Sequence, residues 1–243
     1  MIGMDRTLLA PHWSKRQFVA GLAGAAFAPR ALARGHSDKP GLSPTTALKR
    51  LMDGNARYAA GQSQHPNQGL GRRRELADGQ HPFATILACA DSRVGPELIF
   101  DQGLGDLFVV RDAGNVVDDV VLGSIEYSVI HLGVPLIMVL GHERCGAVAA
   151  AVEALAGKTN EEDRDTKIGP LASLITPAVR DVPANAPDKA EAAVLLNARR
   201  SAKLVLTASK AVGDRVRGGR LQVVSARYGL RDGKVSEVRA AEL

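Results

Sequence analysis

Cys89 and Cys145 are the only two cysteines in the chain, and His142 stands three residues before the second. Cys89 closes the apolar run Ala84-Thr-Ile-Leu-Ala-Cys89. His142 and Cys145 follow another run, Leu136-Ile-Met-Val-Leu140, within Gly141-His-Glu-Arg-Cys-Gly146. If these runs are neighbouring strands, the three side chains converge on one edge of a sheet. Two thiolates and an imidazole form a zinc-type donor set. A structural zinc site closes with a fourth protein donor. With no third cysteine, the fourth position here is open to water or to a nearby carboxylate, which is the pattern of catalytic zinc. Asp91 and Arg93 follow the first ligand directly, in Cys89-Ala-Asp-Ser-Arg93. A guanidinium can grip a carboxylate with two parallel hydrogen bonds and fix its orientation. The held Asp91 can then accept a hydrogen bond from metal-coordinated water. A released Asp91 could instead coordinate the ion and block water, which makes the pair a possible on/off device. Two other readings stay open on these residues alone: a non-catalytic zinc-binding module, and a cysteine nucleophile.

Several elements must position these groups. The two runs above, with Leu107-Phe-Val-Val-Arg111 and Leu221-Gln-Val-Val-Ser225, are short and continuously apolar, as buried strands are. Val235–Val238 suits a late edge strand. Helical stretches fall between them at Pro96–Asp101, Asp119–Leu132, Ala147–Leu155 and Glu191–Val216. Leu48, Leu51, Met52 and Tyr58 recur at helical spacing and predict an opening helix over Pro44–Ala60, with Gly61 at its C-cap. Arg72–Ala77 reads as a short helix, Lys158–Lys167 as a charged loop and Pro177–Pro187 as a Pro-rich connector. Strands alternating with helices predict an α/β fold with a mostly parallel central sheet flanked by helices and preceded by an N-terminal helical arm. Ligand sites in such sheets gather beyond the carboxyl ends of the strands.

Composition narrows the class. The chain is 45% hydrophobic and 23% charged, which fits a globular domain and argues against disorder along its whole length. Its net charge of +5 is concentrated near the start, where residues 1–33 hold Arg6, Lys15, Arg16 and Arg30 against Asp5 alone. The remainder is close to neutral, and Arg72-Arg73-Arg74 reads as a solvated helix face, so no nucleic-acid partner is expected. Lys15 and Arg16 precede the small apolar stretch from Phe18 to Phe27, and Ala31-Leu32-Ala33 supplies a cleavage pattern. We therefore read residues 1–33 as a signal peptide and 34–243 as the mature domain. Ser14-Lys15-Arg16-Gln17-Phe18 resembles a twin-arginine export motif with Lys in place of the first Arg. The expected location is periplasmic or secreted. No stretch reaches the roughly 18 apolar residues of a membrane span, so no stable insertion follows leader removal.

Taken as a set, Cys89-Ala-Asp-Ser-Arg93, Arg111-Asp-Ala-Gly-Asn115, His142-Glu-Arg-Cys145, Pro96-Glu-Leu-Ile-Phe-Asp101, Gly123-Ser-Ile-Glu-Tyr127 and the closing Tyr228-Gly-Leu with Gly233-Lys-Val235 resemble the signature segments of the beta-class carbonic anhydrases. The likeness runs from about residue 45 to the end. It implies a zinc-dependent reversible hydration of carbon dioxide to bicarbonate and a proton through a zinc-bound hydroxide. One Zn2+ per subunit would sit on Cys89, His142 and Cys145, with Asp91 and Arg93 as the catalytic dyad. It implies a homodimer or homotetramer. It also implies that Gln80 reaches the substrate pocket, commonly across a dimer interface, and that Phe108, Ala113 and Tyr127 line that pocket, with Gly114 in the same loop. Zinc lowers the pKa of its water to about 7 in the standard carbonic anhydrase example, a three-histidine site. Two thiolates donate more charge and would raise that value.

Two features set this sequence apart within that family. Asp112 stands where Asn is commoner, adding a negative charge near the pocket. Ile86 occupies the position of a Trp that one subgroup uses in a regulatory bicarbonate site, and the only Trp, Trp13, lies in the leader. The resemblance therefore points to the plant-like, non-allosteric subgroup. Hydrolysis of carbonyl sulfide or carbon disulfide on the same scaffold is the alternative chemistry.

Overall fold

The computed structural model describes residues 41–158, 161–163 and 165–238; the leader lies outside them. The apolar runs form β1 (Ala84–Cys89), β2 (Leu107–Asp112), β3 (Leu136–His142) and β4 (Gln222–Tyr228), with β5 (Val235–Glu237) at the end. They make one sheet in the order β2-β1-β3-β4-β5, in which the first four strands are parallel and β5 runs antiparallel to β4. The helices among the described residues are α1 (Pro44–Ala59), α2 (Leu70–Glu75), α3 (Pro96–Ile99), α4 (Asp119–His131), α5 (Gly146–Leu155), α6 (Ile168–Arg180), α7 (Lys189–Ala208) and α8 (Lys210–Arg217). This is the mostly parallel α/β architecture that the alternation of runs predicts.

Every residue of β1 and β3 is buried, because helices cover both faces of the sheet. Side chains alternate across the pleat. Ile86, Ala88, Met138 and Leu140 pack with Leu51 of α1 and with Ile99 and Phe100 at the end of α3. Leu87, Ile137 and Val139 face the other way, onto Ile125 of α4 and onto Ala198 and Val205 of α7. Central strands so enclosed hold their register firmly, since a one-residue slip would swap the two faces. The carboxyl ends of β1 and β3, where Cys89 and His142 stand, are thereby fixed side by side.

α1 starts as the sequence predicts. Ser43 is its N-cap and accepts a hydrogen bond from Thr46 N, and Pro44 takes the first helical position. Its inner face approaches closely: a Cβ on Gly54 would fall 1.9 Å from Phe100 O. Asn55 donates to Ile99 O and Gly233 O and accepts from Val235 N, tying α1 to α3 and to β5.

Two expectations are corrected. Pro177 does not open a connector but lies inside α6. Ala172, Ile175 and Ala178 bury one side of that helix, and this packing outweighs the hydrogen bond that proline removes. The single helix expected over Glu191–Val216 is two helices. Ser209 is extended between α7 and α8, donates its hydroxyl to Glu126 Oε1 and caps α8 by accepting from Val212 N. A serine hydroxyl that satisfies a helix start competes with helix continuation.

Candidate metal centre

Cys89 is the last residue of β1, His142 the last of β3, and Cys145 the N-cap of α5. Between the last two, Arg144 takes the left-handed region at φ 53°. This is uncommon for a residue with a side chain, and it completes the tight turn that brings Cys145 back beside His142. The ligand atoms of Cys89, His142 and Cys145 all lie within 4.8 Å of one another, and all three residues are buried. The two sulfurs are 3.9 Å apart.

The histidine shows which way the site is wired. Nδ1 of His142 lies 2.9 Å from Glu143 O. A carbonyl only accepts, so Nδ1 carries the proton and Nε2 presents a bare lone pair. That Nε2 is buried and has no hydrogen-bond partner among the described residues. An unpaired buried acceptor is costly. Beside two thiols, it is accounted for by a soft divalent ion, and a backbone carbonyl behind the ring is the usual support of a metal-bound histidine. The donor set and the orphaned nitrogen both fit zinc.

The surroundings act on the two thiols in opposite directions. The Cys145 contact, His142 and the Gly114 and Asp91 backbone N–H groups draw the Cys89 thiol well below its ordinary value, against the opposing effect of burial. The shared contact with Cys89 and then burial push Cys145 up. A cation held between the two sulfurs would favour loss of both thiol protons.

Asp91 and Arg93 form the grip that the sequence predicts. Arg93 Nε and backbone N each reach Asp91 Oδ1 at 2.9 Å, and Nη2 reaches Oδ2 at 2.7 Å. These bonds hold the Asp91 carboxyl far below the usual carboxylate range. Its Oδ2 lies 4.0 Å from His142 Nε2, so the carboxylate borders the cluster while both its oxygens are engaged by Arg93.

Arg111 supports this edge and carried no role in the sequence reading. Its Nε donates to Cys89 O at 3.0 Å and its Nη2 to Asp91 O at 2.7 Å. Asp112, expected to add a negative charge near the pocket, stands beside Cys89 at the end of β2. Its Oδ1 accepts from Val116 N, and its Oδ2 is buried with no hydrogen-bond partner among the described residues. Burial, with the Cys89 and Asp118 charges nearby, raises its carboxyl to about 6.

Of the pocket residues, Gly114 joins the cluster directly, its N–H donating to Cys89 Sγ at 3.2 Å, and Ala113 precedes it in the same turn. Phe108 and Tyr127 meet each other, ring centroids 6.2 Å apart, where β2 meets α4. Tyr127 is half exposed and also stacks on His131 at 4.9 Å. Gln80 is exposed in the turn before β1 and forms no hydrogen bond with the cluster.

Known proteins share this arrangement of segments. The family model described as carbonic anhydrase matches residues 84–235, from the first residue of β1 to the first of β5. "Carbonic anhydrase 2" of Mycobacterium tuberculosis is 43% identical over 195 residues, covering 80% of this chain and 93% of that protein. A carbonic anhydrase of Mycolicibacterium smegmatis is 42% identical over 199 residues, covering 81% and 94%. Among solved structures, the beta-carbonic anhydrase CafA of Aspergillus fumigatus superposes with a TM-score of 0.58 at 30% identity, covering 82% of this chain and 92% of that one. With likeness of this extent in both sequence and fold, the chain belongs to the beta-class carbonic anhydrase family.

Proposed function

We propose that this carbonic anhydrase hydrates carbon dioxide at the Cys89–His142–Cys145 cluster, with one zinc ion as the resident metal and Asp91 and Arg93 as the dyad beside it. The observation that carries the reading is the bare, buried Nε2 of His142 facing two thiols. Zinc held there supplies Lewis acidity, which makes water an effective nucleophile near neutral pH.

The chain's own residues do the rest. His142, fixed through Nδ1 to Glu143 O, keeps its free nitrogen aimed at the ion. Gly114 N–H shares the charge of the Cys89 sulfur. Asp91, kept ionised by Arg93, acts only as an acceptor, so it can orient a water by taking one of its protons in a hydrogen bond. Because Arg93 satisfies both Asp91 oxygens, the carboxylate has less reason to turn onto the ion and close the site. The apolar wall of the pocket, to which Phe108, Ala113 and Tyr127 are assigned, suits an uncharged linear substrate better than its charged product.

Assembly from two or more copies belongs to the same reading. Among the described residues β2 is a sheet edge with no strand on its outer side, and neighbouring α4 exposes Val120, Tyr127 and Ile130. An unpaired edge beside exposed apolar side chains favours burial against a second copy. Gln80, exposed ahead of β1, would donate to the developing bicarbonate of that copy, as the family resemblance implies. Ile86 is wholly buried in the core and offers no aromatic platform, which supports the non-allosteric subgroup. The leader composition supports a periplasmic or secreted enzyme, and sequencing the mature N-terminus from fractionated cells tests it.

Zinc-edge X-ray absorption tests the site. The expected spectrum shows two sulfur and one nitrogen donors, with one sulfur lost in Cys145→Ser. A shell without sulfur would refute the assignment.

A further inference from the structure

Asn197 is a buried amide on α7, 2% exposed, in a helix whose other inward residues are the apolar Ala193, Val194, Ala198 and Val205 and the small polar Ser201. Its Nδ2 donates to Gly114 O at 2.7 Å, across 83 residues of sequence. Gly114 N–H in turn donates to Cys89 Sγ at 3.2 Å. Gly114 and Asn115 both lie in the left-handed region, at φ 88° and φ 44°. Glycine and asparagine are the residues that enter this region most readily, and two of them in succession define where the N–H groups of the turn point. The turn is seated tightly: a Cβ on Gly114 would meet Ile175 Cδ1 at 2.7 Å and Ala147 Cβ at 3.1 Å. Packing thus closes one side of the turn, and the Asn197 amide fastens the other. A leucine would suit the α7 interior at least as well as an amide, so the hydrogen bond to Gly114 accounts for the amide.

We infer that Asn197 is a positioning residue for the metal centre: by holding the Gly114 carbonyl it keeps the Gly114 N–H aimed at the Cys89 sulfur, and so sets how much charge that sulfur gives to the ion. The inference rests on the proposed zinc site. Its physical basis is that groups behind a ligand orient it and tune its donor strength, and that their loss commonly weakens metal binding about tenfold or more. An N–H bond to a thiolate withdraws electron density, so its removal makes the sulfur a stronger donor.

The test uses the full chain loaded with cobalt(II) or zinc, comparing wild type with Asn197→Leu and Asn197→Asp. The sulfur-to-cobalt charge-transfer band should move to longer wavelength in both variants. Zinc affinity, measured by competition with a chelator, should fall about tenfold, because the turn that orients the Cys89 ligand is no longer held and this outweighs the stronger sulfur donor. The stabilisation gained on zinc binding, read as the difference in Tm between loaded and metal-free protein, should shrink. A purely structural role would lower both Tm values equally and leave band and affinity unchanged; that result in whichever variant folds overturns the inference, as does failure of both variants to fold even with zinc present. Absence of a sulfur-to-cobalt band in wild type would instead overturn the zinc site beneath it.

Discussion

Asp91 and Arg93 are joined by three hydrogen bonds, two to Oδ1 and one to Oδ2, within a span of three residues. The side chain of Arg93 is about half exposed while that of Asp91 is mostly covered, so the pair shapes the site more than it stabilises the fold. Arg93→Leu should lower kcat for carbon dioxide hydration at least about tenfold, with zinc content unchanged. The pH profile should shift as well. Arg93 depresses the Asp91 carboxyl, so wild-type Asp91 stays ionised until strongly acidic pH. Without Arg93 it titrates closer to the ordinary carboxylate range, and the acid limb of the profile should move to higher pH. Stopped-flow hydration from about pH 3 to 9, spanning the ordinary carboxylate range, checks both; an unmoved acid limb would count against the dyad.

Asp112 should make the fold less stable as the solution becomes less acidic. Its carboxyl is raised from an ordinary 3.8 to about 6, chiefly by burial. Below 3.8 both folded and unfolded chains hold the proton, and no penalty exists. Between 3.8 and about 6 the unfolded chain releases it first, so stability falls with rising pH; above about 6 the penalty is constant. Asp112→Asn should therefore be stabilising relative to wild type, by an amount that grows across that window and then levels off. Urea unfolding at several pH values measures it.

Metal removal should expose the thiol pair to oxidation. The sulfurs lie 3.9 Å apart, and the contact with Cys145 draws the Cys89 thiol below its ordinary value. A thiolate beside a second thiol is the species that oxidants attack. Chelator-stripped protein treated with dilute peroxide should lose both titratable thiols and its capacity to rebind zinc, and a reductant should restore it. Zinc-loaded protein should keep both thiols under the same treatment. Mass spectrometry distinguishes the two.

Gly54→Ala should destabilise the enzyme by about 3 kcal/mol, since the new methyl would overlap the Phe100 carbonyl and force α1 from α3. The control Gly41→Ala, where nothing lies within 4 Å, should change stability by less than about 0.5 kcal/mol. Thermal unfolding of the two variants reports the difference.

β1 and β3 were legible because they are short, unbroken apolar runs, and burial on both faces leaves no other use for such runs. The ligand trio was legible because Cys89 closes one of these runs and His142 and Cys145 follow closely on the other. What stayed hidden depends on distance in the chain. Nothing in the residues around Pro177 announces that Ala172, Ile175 and Ala178 find a surface that keeps the helix intact. The break at Ser209 depends on Glu126, which lies 83 residues earlier. Asp112 reads only as a negative charge near the pocket until β2 is paired with β1, which sets it half-buried beside Cys89. Arg111 stands inside a motif, yet its work is done on the carbonyls of Cys89 and Asp91, which local sequence does not bring near.

Zinc titration of the metal-free enzyme, followed by stopped-flow hydration of carbon dioxide, tests the central claim most directly. Activity should rise linearly and reach its plateau at one ion per chain, and it should stay at background in Cys89→Ser at any zinc concentration. A chain carrying its full equivalent of zinc that leaves carbon dioxide unhydrated, or one that hydrates it equally well after the metal is stripped, would contradict the account.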